Sequence, residues 1–280
     1  MVRIVEVGPR DGLQNVATII PTEVKVGFVN LLSRSGLTDI EVSSFVAPRR
    51  VPQLADAEEV FARVKRRNDV LFSALVPNMQ GLLRAITAGV SKIAVLTAAS
   101  ERFSTENTGM NIAQSLAACE EVVALAVKRG LSARGYISTA FHCPFAGRIV
   151  PDEAVVLAEE LLLFGVSEVA FGDTTGQAKP DDVRALLNEA QKRGVPIEKI
   201  AMHFHDTYGN AAGNVRAAYE EGVRVFDGSV GGLGGCPYAP GAKGNIATET
   251  LVAVLAELGE ETRVKPAILK RAHELVAPYL

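Results

Sequence analysis

Hydrophobic residues along the chain follow two alternating patterns. Short runs rich in β-branched residues, each ending near Gly, Ser or Asp, are typical of buried strands in a parallel sheet. Between them lie longer segments with an apolar residue every three or four positions, which predict amphipathic helices. The predicted strands are RIVEV (3–7), TDIEVSS (38–44), VLFSALV (70–76), SKIAVLT (91–97), ARGYIST (133–139), SEVAFGD (167–173), KIAMHFHD (199–206) and VRVFDGS (223–229).

A predicted helix follows each of these strands. Several helical segments begin with Pro-Asp or Pro-Thr and end on Gly, as helices commonly do. This repeated unit in a chain of 280 residues predicts an α/β fold, a closed (β/α)8 TIM barrel, because open doubly wound sheets more commonly have about five or six strands. The helical segments cover 21–36, 54–67, 78–89, 111–130, 151–165, 180–194, 209–222 and 245–259.

No linker or compositional step divides the chain. We therefore predict a single catalytic barrel domain over residues 1–280, with an extra C-terminal helix at about 264–279 packed outside it. The hydrophobic content of 48% is enough for a large core. The formal net charge is −3 and the basic residues are scattered, which argues against nucleic acid or a membrane surface as a partner.

The cysteines and the N-terminus predict a cytoplasmic protein. Cys119, Cys143 and Cys236 are too few and too far apart for a disulfide framework, and no CxxC pair indicates a structural zinc site. The first strand begins within a few residues of the N-terminus, which leaves no room for a signal peptide, and no apolar run is long enough to span a bilayer. Cys119 falls in a helical segment, where we expect it to pack.

Active-site residues of TIM barrels lie at the C-terminal ends of the strands and in the loops that follow. Polar residues from five strand ends satisfy this rule, whereas we expect His142 and Cys143, after strand five, to be ordinary pocket wall or structural residues. The candidates are Arg10 and Asp11 after strand one, Glu41 on strand two, Asp173 on strand six, His203 and His205 on strand seven, and the loop GSVGGLGGCPYAPGAKGN after strand eight.

His203 and His205 point to the same side of their strand, because side chains alternate along a strand. Together with Asp11 they would form a site of two imidazoles and one carboxylate, which suits a divalent cation with open positions for a substrate. Strands one, seven and eight are neighbours once the barrel closes, so a shared ion is consistent with the fold. The alternative is a pair of hydrogen-bonded core histidines.

The glycine-rich loop after strand eight has two interpretations. Its glycines suit either a phosphate cradle or a mobile lid, and Cys236 favours a lid that delivers a proton donor, a base or a nucleophile on closure. A lone loop cysteine is more often inert. Asn245, at the start of the last barrel helix, is expected to be an N-cap, with an amide oxygen that is also suitable for a metal.

Arg10 and Glu41 also have more than one interpretation. The fixed charge of Arg10 suits either a structural ion pair or an enolate or carboxylate of a substrate. Glu41 would then pair with Arg10 to orient it, or help to accept a proton.

Seven motifs follow one another along the chain: VGPRDGLQN, IEVSSFV, VPNMQG, CPFAGRI, GDTTG, HFHDTYGNA and SVGGLGGCPYAPGAKGNIATE. In this order they resemble the hydroxymethylglutaryl-CoA lyase family. The resemblance extends from Ile4 to about Leu258, and its most specific part is the cysteine loop. RDG and HxH alone would indicate only the wider superfamily, which includes isopropylmalate and homocitrate synthases.

The resemblance implies a (β/α)8 barrel with Mg²⁺ or Mn²⁺ at its C-terminal mouth, an acyl-CoA substrate and a homodimer. It implies cleavage of 3-hydroxy-3-methylglutaryl-CoA to acetyl-CoA and acetoacetate by a retro-Claisen reaction. The pathway, whether leucine degradation, ketone-body formation or terpenoid use, stays open. By position, the resemblance implies Asp11, His203, His205 and Asn245 as metal ligands, Arg10, Glu41, Asp173 and Cys236 as catalytic residues, and Arg10 and Gln14 as substrate-binding residues.

The chain departs from the family pattern at Val16-Ala17, where an acidic and then a basic residue are common, at Phe141-His142, where small uncharged residues are usual, and at Phe145-Ala146, where CPYEG becomes CPFAG. These positions bear on the preferred acyl group. Three alternative functions stay open: a lyase for a larger 3-hydroxy-3-alkylglutaryl-CoA, a synthase that condenses acetyl-CoA with a 2-oxo acid, and a non-catalytic acyl-CoA-binding barrel.

Overall fold

The computed structural model describes residues 2–235 and 244–280. Its main feature is a closed barrel of eight parallel strands, in which each strand pairs with the next along the chain and the last pairs with the first. The predicted α/β fold, a (β/α)8 TIM barrel, is confirmed. The strands are β1 (Arg3–Glu6), β2 (Asp39–Ser44), β3 (Leu71–Leu75), β4 (Lys92–Ala98), β5 (Ser132–Ser138), β6 (Glu168–Asp173), β7 (Ile200–Phe204) and β8 (Val225–Gly228).

Ten α-helices are present in the described ranges, and every predicted helical segment contains one. The pattern did not predict α4 or the short hairpin of His142–Cys143 with Gly147–Arg148 that follows β5. The helices are α1 (Thr22–Leu32), α2 (Ala57–Arg63), α3 (Met79–Thr87), α4 (Glu101–Thr108), α5 (Ile112–Lys128), α6 (Pro151–Phe164), α7 (Pro180–Lys192), α8 (Ala211–Glu220), α9 (Thr248–Glu257) and α10 (Pro266–Val276).

Alternate residues of each strand face two different cores. Ile4 of β1 belongs to the large cluster between sheet and helices, whereas Val5 belongs to a small cluster with Leu75, Tyr136 and Ala170 inside the barrel. Other buried residues of the strands are polar or charged.

A buried network of charged side chains lies at the N-terminal end of the barrel, where the strands begin. Asp39 accepts hydrogen bonds from Arg3 and Lys92, each at 2.6 Å, and Lys92 also donates to Glu168 at 3.0 Å. Burial by itself would raise the pKa of Glu168, but Arg134, Lys92 and Arg3 lower it to about 2. Each buried carboxylate here lies beside at least one cation.

The C-terminal helix α10 packs against α1 and against the turn that follows β8. Gly231 in that turn has a φ of +64°, and a Cβ there would overlap the His273 ring, so glycine is required. Among the described residues, no single helix is long and apolar enough to cross a membrane. Only the bent pair α4 and α5 reaches that length and composition together.

Candidate active site

A pocket opens at the C-terminal mouth of the barrel. Most of its lining residues come from the strand ends and the loops that follow them, as the barrel rule predicts. Arg10, Asp11 and Gln14 line one side, and His203 and His205 line another. The remaining lining residues are Asn15, Leu75, Leu96, Phe103, Asn107, Tyr136, Ile137, Ser138, Gly172, Thr174 and Gly235.

The turn after β1 carries the first two charged residues of the pocket. Residues Gly8–Gly12 form one wide π-helical turn, in which the backbone N–H groups of Asp11 and Gly12 both donate to the carbonyl oxygen of Val7. A Cβ on Gly12 would lie 2.8 Å from Leu233 Cβ, so this glycine lets the first loop approach the loop after β8. The chain thereby places Arg10 and Asp11 side by side at the mouth.

Arg10 is held on three sides. Its Nε donates to Glu41 Oε1, its terminal nitrogen donates to Asp11 Oδ1 at 2.6 Å, and its guanidinium carbon lies 5.6 Å from the centroid of the Tyr136 ring. The Tyr136 hydroxyl donates to the second oxygen of Glu41 at 2.9 Å. The planar fork of Arg10 is therefore oriented by two carboxylates and an aromatic face, and the predicted pairing of Glu41 with Arg10 is present.

The two histidines and Asp11 bring three potential ligand atoms together. His203 lies on β7 and His205 just after it, and their Nε2 atoms are 3.3 Å apart. Nε2 of His203 is 4.0 Å from Asp11 Oδ2, and one ligand atom from each of the three residues lies within 4.8 Å of the others. Two imidazoles and a carboxylate that converge in this way fit a divalent cation.

The protonation states suit a cation as well. Burial, and then the neighbouring His203, lower the pKa of His205 to about 4, so its imidazole is neutral at pH 7. Burial works against ionisation of Asp11, but Arg10 and the histidines hold the pKa of its carboxyl well below its usual range. Nδ1 of His205 is buried and has no hydrogen-bond partner in the described ranges 2–235 and 244–280. Asp11 and His205 thus present a carboxylate and a neutral imidazole, the forms that bind metals.

Asn245 reaches the same site from the loop before α9. Its Nδ2 donates to Asp11 Oδ2 at 2.7 Å and to the carbonyl oxygen of Leu233 at 3.0 Å. The expectation that Asn245 is an N-cap is wrong, because α9 begins after Ala247 and Asn245 lies two residues earlier, paired with His205 in a β-bridge. Asn245 is brought to the metal-site candidates, and its role as a ligand stays a prediction.

Asp173 and Cys236 are not part of the pocket wall that the structure describes. Asp173 is fully buried at the end of β6, where its carboxylate accepts hydrogen bonds from the backbone N–H of Ala178 at 3.2–3.3 Å. Burial raises the pKa of Asp173 to about 7. Cys236 lies outside the described residues, although Gly235, just before it, lines the pocket.

Three buried residues near the site were missed by the sequence analysis. Arg134 and Tyr136 lie two residues apart on β5, and the guanidinium carbon of Arg134 is 4.8 Å from the centroid of the Tyr136 ring. Asp227 on β8 contacts both Arg134 and His203. The available signal was a charged residue in the middle of an otherwise apolar strand, since charged side chains are seldom fully buried without a partner.

The sequence of the whole chain is similar to that of known proteins. The HMGL-like family model matches residues 1–276. The chain belongs to the HMGL-like family. The resemblance inferred from the motifs is therefore confirmed. This HMGL-like chain is 45% identical over 263 residues to 3-hydroxy-3-methylglutaryl-CoA lyase, cytoplasmic, of Rattus norvegicus, a match that covers 94% of this chain and 76% of the relative.

Solved structures agree with this assignment. The HMG-CoA lyase of Brucella melitensis superposes with a TM-score of 0.96 at 44% identity, covering 99% of this chain and 98% of that one. The HMG-CoA lyase of Acinetobacter baumannii, solved in complex with coenzyme A and 3-methylmalate, has a TM-score of 0.93 at 39% identity, covering 100% of this chain and 91% of that one. The extra C-terminal helix is part of the fold that these superpositions cover.

Proposed function

We propose that this protein is a metal-dependent carbon–carbon lyase that cleaves 3-hydroxy-3-methylglutaryl-CoA to acetyl-CoA and acetoacetate. The observation that carries the proposal is the convergence of Asp11, His203 and His205 beside Arg10 at the mouth of the barrel. An acyl-CoA substrate is supported by the relatives named above, which are 3-hydroxy-3-methylglutaryl-CoA lyases, and by the relative solved with coenzyme A.

Asp11, His203 and His205 would hold the divalent cation, Mg²⁺ or Mn²⁺, with Asn245 as a further candidate ligand. A bound cation would lower the pKa of the tertiary hydroxyl group of the substrate, which favours loss of its proton. The C–O bond then becomes the carbonyl of acetoacetate as the adjacent C–C bond breaks, and the electron pair passes to the acetyl-CoA enolate.

Arg10 is suited to bind the oxygen on which the enolate charge develops. Its guanidinium is fixed before any substrate arrives, so little reorganisation is needed when the negative charge appears. Glu41 and Tyr136 keep it in place. Gln14 lines the same pocket and is a candidate for binding substrate.

The enolate carbon must receive a proton to form acetyl-CoA. The family resemblance supports Cys236 as the donor, and Gly235, the residue before it, lines the pocket. The family resemblance also supports Asp173 as a catalytic residue, and this side chain is fully buried at the end of β6. We further infer that the protein is cytoplasmic, which the cytoplasmic relative from Rattus norvegicus supports, and that it forms the homodimer that the family resemblance implies.

The first experiment incubates the purified protein with 3-hydroxy-3-methylglutaryl-CoA and Mg²⁺ or Mn²⁺, with a chelator control. Equal amounts of acetyl-CoA and acetoacetate are expected, abolished by the chelator and restored by added metal. A parallel reaction with a larger 3-hydroxy-3-alkylglutaryl thioester tests acyl preference. Thiol release from acetyl-CoA and a 2-oxo acid, without cleavage of either glutaryl thioester, would contradict the proposal.

A further inference from the structure

The imidazole of His203 has a buried hydrogen-bond partner on the side away from Asp11. Its Nδ1 lies 3.0 Å from Asp227 Oδ2, and the other oxygen of Asp227 accepts a hydrogen bond from Arg134 at 2.6 Å. Asp227 and Arg134 are each 1% exposed, so water does not compete for these contacts. The carboxylate is thus divided between two partners, one oxygen for each.

We propose that Asp227 is the positioning residue of the metal site, which fixes the proton of His203 on Nδ1 so that the Nε2 lone pair faces the cation. This inference rests on the proposed function, because it assigns a residue that prepares the same site. A carboxylate can only accept a hydrogen bond, so the nitrogen that faces it must carry the proton. A metal-binding histidine is commonly oriented in this way by a carboxylate on its other nitrogen.

Arg134 completes the arrangement. Its side chain can only donate hydrogen bonds, and its guanidinium lies over the ring of Tyr136, which in turn donates to Glu41. The carboxylate of Asp227 therefore cannot turn away from His203 without breaking its bond to Arg134. A line of contacts runs from Arg134 through Asp227 to the ring that faces Asp11.

The amide variant Asp227→Asn tests the inference sharply. Asparagine offers one accepting and one donating atom, and Arg134 requires the acceptor. The donating Nδ2 would then face Nδ1 of His203, so the ring would accept there and carry its proton on Nε2, the atom required for the cation. We expect the dissociation constant for Mn²⁺, measured by titration of the full-length protein, to rise about 10- to 100-fold.

Asp39→Asn is the matched control. Asp39 is also a fully buried aspartate, but in the described part of the chain its hydrogen-bond partners are Arg3 and Lys92 at the other end of the barrel, and it has no hydrogen bond to a candidate ligand there. We expect this variant to lose stability while its Mn²⁺ dissociation constant stays within about twofold of the wild type, because it keeps the contact between Asp227 and His203. An equal rise in both variants would indicate a general effect of buried charge and would overturn the proposal.

The second measurement uses the wild-type protein and does not depend on the folding of a variant. The chain has only four histidines, so selective ¹⁵N-histidine labelling gives few signals, and His203→Gln identifies that of His203. In the metal-free protein near pH 8, the proton of His203 is expected on Nδ1. A proton on Nε2, or an unchanged Mn²⁺ dissociation constant in Asp227→Asn, would overturn the proposal.

The two ideas fail differently. Wild-type protein that binds no Mn²⁺ would contradict the metal site of the proposed function, and the ¹⁵N spectrum would still test the contact between Asp227 and His203. Wild-type protein that binds Mn²⁺ and cleaves the thioester, with His203 protonated on Nε2, would contradict the role of Asp227 alone.

Discussion

The two ends of the barrel both bury charged side chains but satisfy them in different ways. At the N-terminal end, cations and carboxylates alternate, as where Lys92 lies between Asp39 and Glu168. At the C-terminal mouth, Asp11, His203 and His205 turn potential ligand atoms toward one another. A network in which each carboxylate lies beside a cation stabilises the fold. Ligand atoms that converge need a metal ion or a proton between them, which is typical of a binding site.

The largest expected effect is at the mouth. His205→Ala removes one of three converging ligand atoms, so metal binding should weaken and lyase turnover should fall about 1000-fold, equivalent to about 4 kcal/mol of transition-state stabilisation. Steady-state kinetics at saturating Mg²⁺ and metal analysis of the purified protein measure this. Since His142 lies outside the pocket that contains Asp11, His142→Ala is the matched control and should retain turnover. Unchanged metal content in His205→Ala would count against the ligand role.

The next effect concerns the opposite end. Lys92→Met removes the cation between two buried carboxylates, so the free energy of unfolding should fall by about 3 kcal/mol. Chemical denaturation measures the loss, and Mn²⁺ affinity of the folded variant should be unchanged. Arg63→Met, which breaks an exposed ion pair with Glu59, should cost less than about 1 kcal/mol. Equal losses for the two variants would contradict the structural role assigned to this network.

Arg10→Lys tests the orientation of the charge at the mouth. Lysine keeps the charge but loses the planar fork that bonds to Glu41 and Asp11, so turnover should fall about 100-fold. Measurement of kcat and KM separates this from weaker binding, because a group that acts on the developing enolate lowers kcat. A variant with wild-type kcat would show that the orientation of Arg10 does not matter for the reaction.

The smallest expected effect concerns a carboxylate that has no cation among its hydrogen-bond partners in the described part of the chain. Glu6 is fully buried and accepts hydrogen bonds from the backbone N–H groups of Gly8 and Val230 and from the Thr248 hydroxyl. Burial raises its pKa from 4.5 to about 7 despite these bonds. Glu168, which has cations beside it, shows the opposite shift.

The sign of the pH dependence follows from this shift. A raised pKa means that the folded protein holds the proton more tightly, so the contribution of Glu6 to stability is present below about pH 4.5 and is lost as the pH rises through about 7. Glu6→Gln keeps an acceptor for the two N–H groups and a partner for Thr248, and should be more stable than the wild type by about 1 kcal/mol at pH 8. Denaturation at pH 5 should show a smaller difference, and an equal difference at both pH values would contradict this account.

The pattern of apolar residues in the strands and helices, together with the glycines that end the helices, determined the barrel fold from the sequence. All eight predicted strands are present, because alternation of apolar residues and short strand length are local properties. The HxH spacing and the RDG turn also placed His203, His205 and Asp11 at the mouth, since the fold requires the C-terminal strand ends to meet there. The family motifs predicted the lyase reaction as well.

Only the tertiary structure decided which side chains touch. Asn245 looked like an N-cap in the sequence, but the loop carries it to Asp11, and α9 begins two residues later than expected. The contact from Arg134 through Asp227 to His203 joins strands β5, β8 and β7, and 93 positions separate Arg134 from Asp227. Hydrophobic periodicity predicts on which face of a strand a residue lies. A hydrogen bond between side chains of different strands also depends on the register of the strands and on small side chains that leave room for it inside the barrel.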